Sequence, residues 1–225
     1  MKHKILIVPD LHFPFHNKVA LSRVIAYAKK FQPTHIVQVG DLYDNYSFSK
    51  FRRSLNLVTP AKEIKKAHHC AVQMWKELRK VAPTAKCFQL MGNHDARFIK
   101  RVLERLPEIE DVIVDPLNKL YEFEGVTTVY DDRDYIIIDN ILFTHGYMCG
   151  IGKHLKAFIQ NVVIGHSHRG HTYFETHKGK TLFELNVGHL TDLKALPLCY
   201  TPIKISNSNL GFGVIENNEP KFVAL

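Results

Sequence analysis

Lys4-Ile5-Leu6-Ile7-Val8-Pro9-Asp10-Leu11-His12 places an acid and an imidazole directly after a short, β-branched-rich run. Such a run reads as a buried strand, and Pro9 with Asp10 stops it. The same pattern recurs down the chain. His35-Ile36-Val37-Gln38-Val39 reads as a second strand and ends in Gly40-Asp41-Leu42-Tyr43-Asp44. Lys86-Cys87-Phe88-Gln89-Leu90-Met91 reads as a third and ends in Gly92-Asn93-His94-Asp95. Ile141–Thr144 runs into His145-Gly146, and Val162–Gly165 into His166-Ser167-His168. In open α/β sheets, ligand sites gather beyond the carboxyl ends of strands. Loops that deliver Asp, Asn and His there point to one shared site.

Helical patterns separate the early strands. Asn17 to Phe31 carries Val19, Val24, Ile25 and Ala28 on one face and ends before Pro33. Thr59-Pro60 predicts a helix start, with Thr59 as cap and Pro60 in the first turn, running to about Val81. A further helix is expected from about Asp95, its candidate cap, to Leu106. The second half is strand-rich, with candidates at Thr127–Tyr130, Tyr135–Ile138, His171–Thr176, Thr181–Val187, Gly211–Ile215 and Lys221–Ala224. A helix near Gly152–Ile159 interrupts them. β-α-β units followed by strands predict an α/β layered fold, with two packed sheets and helices outside. With no repeat or linker, residues 1–225 read as one domain.

Composition narrows the function classes. The 225 residues can build one sizeable core, and 45% apolar with 23% charged residues is ordinary for a soluble protein. No apolar run approaches the ~18 residues of a membrane span, so no membrane partner is expected. The N-terminal run Ile5–Val8 is too short for a signal peptide, which predicts a cytoplasmic protein. Cys70, Cys87, Cys149 and Cys199 form no C-x-x-C pair, which argues against a thiolate zinc site. A net charge of +8, from 30 Lys+Arg against 22 Asp+Glu, suits an anionic partner. Carboxylate, amide oxygen and neutral imidazole are ligands suited to Mn, Fe, Zn or Mg.

The ordered set D-x-H, G-D-x-x-D, G-N-H-D, H-G and G-H-x-H, spread over residues 10 to 168, resembles the calcineurin-like metallophosphoesterase family. The resemblance implies a four-layer α/β/β/α sandwich, two mixed β-sheets flanked by helices, with a binuclear site at its edge. It implies that Asp10, His12 and His168 hold one metal, that Asn93, His145 and His166 hold a second, and that Asp41 bridges them. His94 would protonate the leaving oxygen, oriented by Asp44. The implied cofactors are two divalent ions, Mn²⁺ foremost, with Fe, Zn, Ni or Mg as alternatives. The implied activity is hydrolysis of phosphate esters. Two dications less the two carboxylates leave the cluster at about +2, suited to a phosphate anion and to a hydroxide nucleophile near pH 7.

The substrate must be read from residues outside this set. Tyr43-Asp44-Asn45-Tyr46-Ser47-Phe48-Ser49-Lys50-Phe51-Arg52-Arg53 interleaves aromatics with bases. It reads either as a surface on which nucleotide bases stack, with Arg52 and Arg53 meeting phosphates, or as a short amphipathic helix with a charged outer face. Arg97 reads as a phosphate ligand or as part of a solvated helix face. His189, in Asn186-Val187-Gly188-His189, resembles the family's late N-x-G loop and is a candidate for the substrate wall. The irregular segment Leu190–Asn209 would form the opposite wall. His3, His16, His35, His68, His69, His154 and His177 lack the pattern and read as structural. The expected substrate is a phosphodiester of nucleic acid or a nucleotide. A phosphomonoesterase is the runner-up, and a catalytically silent scaffold the third reading. The family's protein serine/threonine phosphatases carry an Arg after the second Asp of G-D-x-x-D and a Glu after G-N-H. Asn45 and Asp95 stand there instead. About 57 residues follow His168, little room for the capping domain of the longer repair nucleases.

Overall fold

The computed structural model describes residues 3–50, 59–195 and 208–225. The first sheet has a parallel centre of β1 (Lys4–Val8), β2 (His35–Gln38), β3 (Lys86–Leu90) and β4 (Val126–Val129). Two strands from the far end of the chain extend it: β10 (Gly211–Glu216) lies antiparallel to β1, and β11 (Glu219–Ala224) antiparallel to β10. The order is β11-β10-β1-β2-β3-β4. The second sheet is also mixed. β5 (Tyr135–Ile138), β6 (Ile141–Thr144), β7 (Asn161–Ile164), β8 (His171–His177) and β9 (Lys180–Asn186) are arranged β5-β6-β7-β9-β8.

Side-chain alternation along the strands builds the layers. Leu6, Val8 and Ile36 face α1 (Lys18–Phe31) and α2 (Pro60–Val81), in a core that holds Val24, Ala28, Ala71, Met74, Trp75 and Leu78. Ile5, Ile7 and Val37 face the other way, into a second core shared with Phe143, Val163 and Leu185 of the second sheet. Leu142, Val162 and Ile164 form the outer face of that sheet and pack under Leu155 of α5 (Lys153–Phe158). The result is the expected α/β/β/α sandwich. Strands buried on both faces explain the near-continuous apolar runs of the sequence.

Two local expectations are corrected. The helix after the third strand is α3 (Arg97–Leu103), and Asp95 does not cap it: its N-cap position is Ala96, with no side-chain cap bond. Thr59 occupies the N-cap position of α2, but its side chain also makes no cap bond. The sequence reading missed α4 (Glu110–Asn118), which contains Pro116. Asn17 does cap α1, accepting from Ala20 N at 3.0 Å.

Candidate metal centre

The loops beyond β1, β2, β3, β6 and β7 converge at one edge of the sandwich. Asp10, His12, Asp41, Asp44 and His145 are buried, whereas Asn93, His94, His166 and His168 are partly open. His12, Asp41, His166 and His168 all adopt positive φ, between 50° and 64°. A left-handed backbone at a residue other than glycine costs about 1–3 kcal/mol and persists where the surroundings impose it, commonly at functional sites.

Hydrogen bonds fix which imidazole nitrogen faces inward. His145 Nδ1 donates to the Val39 carbonyl at 3.0 Å, so its Nε2 presents a lone pair in the neutral ring. That nitrogen faces Asn93 Oδ1 at 3.0 Å and Asp41 Oδ2 at 3.4 Å. Asn93 Oδ1 is also 2.9 Å from His166 Nδ1. His12 Nδ1 donates to Asp44 Oδ1 at 2.8 Å, which turns its Nε2 to within 3.1 Å of His168 Nε2. His168 Nε2 lies 3.2 Å from Asp10 Oδ2, while Asp10 Oδ1 is buried without a hydrogen-bond partner.

These contacts meet the test of a cation site: oxygens and imidazole lone pairs facing one another with too few protons between them. Potential ligand atoms of Asp10, His12 and His168 form one cluster, and those of Asp41, His145 and His166 another, each within 4.8 Å. Asp41 Oδ2 faces both, 3.4 Å from His145 Nε2 and 3.7 Å from His12 Nε2. The donor set therefore fits two hard-to-borderline divalent ions with Asp41 between them. A third cluster, His12-Asp44-His94, is joined through both Nδ1 atoms to one carboxylate oxygen, the arrangement of an orienting hydrogen-bond acceptor.

The carboxylates and imidazoles shift one another, and a bound cation would have to displace the proton that this environment favours on His145. Burial pushes the Asp41 carboxyl up, but His145, His94 and His12 outweigh it and hold it well below the usual carboxylate range. Burial likewise opposes charge on His145, yet Asp41 and Asp10 raise that imidazole to about 10. Burial and the nearby His145 lower His166.

Residues to which the motifs assign no metal or catalytic role hold the loops. Asp95 accepts from Gly92 N at 2.9 Å, Leu42 N at 3.1 Å and Tyr43 N at 2.7 Å, tying the Asp41 loop to the Asn93 loop. Burial and the neighbouring Asp41 push its carboxyl up to about 7, against these three donors. Beneath the same loops, Trp75 Nε1 donates to Gln89, Gln89 to Gln38, and Gln38 to the Gly40 carbonyl. Two buried glutamines at strand ends were the available signal. Gly92 and Gly165 admit no side chain: a Cβ would collide with Asp41 Oδ1 and Asp10 Oδ1, respectively. Gly165→Ala should displace Asp10, costing about 1–3 kcal/mol of overpacking. Equilibrium denaturation of chelated protein and calorimetric metal titration check it. An unchanged metal affinity would show that the close approach is relieved elsewhere.

A family model described as calcineurin-like phosphoesterase matches residues 3–195. The chain belongs to that family. It is 25% identical over 209 residues to the gene 54 protein of Mycobacterium phage L5, covering 86% of this chain and 82% of that protein. It is 24% identical over 232 residues to the gene 54 protein of Mycobacterium phage D29, covering 96% and 89%. Among solved structures, it is similar to Yfce, a phosphoesterase from E. coli, at 14% identity and a TM-score of 0.48 over 98% of this chain and 92% of that one. The family is one of metal-dependent hydrolases with a dinuclear centre, and the His and Asp clusters here could hold such ions.

In this calcineurin-like phosphoesterase, the residues read as substrate contacts divide. Arg97 turns inward: Nη1 donates to the Asp44 carbonyl at 3.1 Å and Nη2 to His94 Nε2 at 2.7 Å. It is not a solvated helix face. His189 does not line the substrate wall. It is fully buried behind the site, its ring stacked 4.9 Å from His168, its Nδ1 accepting from Thr191 N at 3.1 Å. Tyr43 and Tyr46 are core residues and offer no face to a base. Tyr46–Phe48 forms a 3-10 turn, held by Glu63 through Tyr46 N, Ser47 N and the Ser47 hydroxyl. Arg52, Arg53, Phe51 and most of the Leu190–Asn209 wall lie outside the described residues. A cavity of about 320 Å³ adjoins Asn93, lined by Phe48, Lys50, Arg97, Lys100 and Arg101 among others. Among the described residues, no helix is long and apolar enough to cross a membrane.

His16, His35 and His154 are structural histidines. Burial lowers all three, His16 to about 4. A depressed folded pKa means that the unfolded chain takes up protons first as pH falls. Their stabilising effect is therefore full above about pH 6.5 and is lost as pH falls, toward 4 in the case of His16, with a slope of up to about 1.4 kcal/mol per pH unit for each group. Urea midpoints of chelated protein should fall between pH 7.5 and 5, and His16→Phe should flatten that fall. A midpoint indifferent to pH would contradict burial of neutral rings.

Proposed function

We propose that this chain hydrolyses phosphate esters with two divalent metal ions, and that its substrates are phosphodiesters of nucleic acid or nucleotides. The observation that carries the reading is the pair of ligand clusters joined by Asp41 Oδ2. Asp10, His12 and His168 would hold one ion, and Asn93, His145 and His166 the other, with Mn²⁺ the ion of first choice. Bound ions would supply a hydroxide nucleophile at neutral pH and a positive field for the phosphate oxygens. The protein's own groups do the rest. Arg97 steers a phosphate toward the site, since guanidinium pairs with phosphate oxygens. His94, held through Nδ1 by Asp44 at 2.9 Å, would act in its cationic form, with Arg97 Nη2 moved from His94 Nε2 onto the phosphate and the Nε2 proton passing to the departing oxygen.

The diester assignment draws on the cationic, aromatic-walled cavity beside Asn93 and on the net charge of +8. Asn45 further distinguishes this site from the protein phosphatases. It is buried, and its amide donates to the His94 and Asp95 carbonyls, so it presents no cation to a phosphate.

A metal-by-substrate panel tests the reading: bis-p-nitrophenyl phosphate against p-nitrophenyl phosphate, with Mn²⁺, Mg²⁺, Ni²⁺ and Zn²⁺. The diester should be the better substrate, with Mn²⁺ the best ion, and a Mn²⁺-soaked crystal should show two ions about 3.5–4 Å apart. A higher kcat/KM for the monoester would make the chain a phosphomonoesterase. Two bound ions without turnover would make it a scaffold.

A further inference from the structure

The chemistry proposed above uses the Asn93 edge of the 320 Å³ cavity and leaves the rest of its wall without a task. That wall is organised by α3. Arg97, Lys100 and Arg101 stand at i, i+3 and i+4, on one face of the helix and one turn apart, about 6 Å along its axis. Arg97 marks the inner end, bonded to His94 Nε2 and the Asp44 carbonyl. Lys100 and Arg101 mark the outer end, with side chains 52% and 42% exposed. Lys100 pairs with Asp132 at 2.5 Å and Arg101 with Glu104 at 3.5 Å, and Glu104 also holds Lys50. The Arg101–Glu104 pair is exposed on both sides and contributes little, so an incoming anion can exchange for it, whereas Asp132 is only 13% exposed and an anion would share the Lys100 ammonium with it. Phe48, stacked on Phe98 at 4.3 Å and 21°, gives the cavity an aromatic side.

The direction of the cavity follows from His94. Its Nε2 is the atom that would meet the departing oxygen, and Arg97 joins that atom to the cavity wall. Whatever is attached to the departing oxygen therefore extends toward Lys100 and Arg101.

We propose that the outer end of this cavity binds a second phosphate, carried on the leaving group one ester step from the bond that is cleaved. The inference rests on the phosphoesterase reading above. Water adds to phosphorus, the bond from phosphorus to the leaving oxygen breaks, and His94 supplies that oxygen's proton. On a strand diester the products are a phosphate monoester and an alcohol that keeps the second phosphate; on a polyphosphate the departing oxygen belongs to the neighbouring phosphate itself. The shared chemistry is a phosphate next to the scissile one, whether from a nucleic-acid strand or from a nucleotide polyphosphate.

The test compares kcat/KM for the dinucleotide TpT with TpTp, pTpT and ATP, with bis-p-nitrophenyl phosphate as the baseline diester, all with Mn²⁺. At least one of TpTp and pTpT should exceed TpT about tenfold or more, chiefly through KM. In Lys100→Ala/Arg101→Ala this preference should fall to about unity, and Lys100→Arg/Arg101→Lys should restore it. A preference shown by ATP alone would assign the site to polyphosphates instead of strands. Anisotropy of fluorescein-labelled pTpT reads the site without turnover. The Ala variant should bind about tenfold more weakly, and its log affinity should depend less on log salt, by about 1.4. Failure to hydrolyse bis-p-nitrophenyl phosphate while pTpT binding still depends on Lys100 and Arg101 would overturn the hydrolase reading and leave the site. Turnover of the baseline diester, with no gain from a second phosphate or a gain that survives the Ala variant, would overturn the site and leave the hydrolase.

Discussion

His94→Ala should lower turnover of an alkyl phosphodiester about 10²–10⁴-fold while metal content stays at two ions. His94 offers the site no ligand that the two clusters need. Its Nδ1 is committed to Asp44 Oδ1 at 2.9 Å and its Nε2 faces Arg97 at 2.7 Å and Asp41 Oδ2 at 3.9 Å. The loss should shrink markedly for p-nitrophenyl esters, whose leaving group departs without a proton. Steady-state kinetics on a leaving-group series, together with elemental analysis of the variant, reads both quantities. Equal losses on alkyl and nitrophenyl esters would remove the acid role. Loss of one ion would recast His94 as part of the metal site.

Asp44→Asn should damage two functions at once. One oxygen, Asp44 Oδ1, accepts from His12 Nδ1 at 2.8 Å and from His94 Nδ1 at 2.9 Å. The first bond sets the tautomer of a proposed metal ligand and the second that of the proposed acid. Removing the charge weakens both, and outer partners of ligating histidines typically matter 10–100-fold in metal affinity or activity. Calorimetric metal titration should show a loss of that size, confined to the ion held by His12. In a His94→Ala background, the further change should still weaken metal binding but cost little extra turnover at saturating metal, because groups acting as a unit are not additive. Unaltered metal affinity in both backgrounds would separate His12 from Asp44.

The candidate metal ligands, which the fold brings to one edge, were legible in the sequence because strand ends carry them in a fixed order, so each motif needed only its own few residues and a preceding apolar run. The sheets were legible for a related reason. Tyr135–Ile138 and Ile141–Thr144 stand in the structure as they read in the sequence, since alternation and buried runs are local signals. What holds the loops was not legible, because it acts across the chain. Asp95 read as a helix cap by position, and only the fold brings Leu42 and Tyr43 to it, more than 50 residues away. Tyr43 and Tyr46 read as stacking surfaces because interleaved bases suggest a face open to solvent. Tertiary packing buried both, Tyr43 against Tyr121 at 4.6 Å. His189 resembled a substrate residue by its loop, yet its ring lies behind His168. α4 escaped because Pro116 within it breaks the helical reading.

The clusters draw their members from both halves of the sandwich. Asp10, Asp41 and Asn93 hang from the first sheet, and His145, His166 and His168 from the second. In mechanical terms, seated ions would be rivets through two plates, placed at one rim, while the close-packed filling of Ile5, Ile7, Phe143 and Val163 joins the plates across their faces. Sliding or hinging the plates would pull ligands off such ions. Ions seated there would tie the two plates together at that rim, and removing them would leave the rim held by the surrounding hydrogen bonds alone.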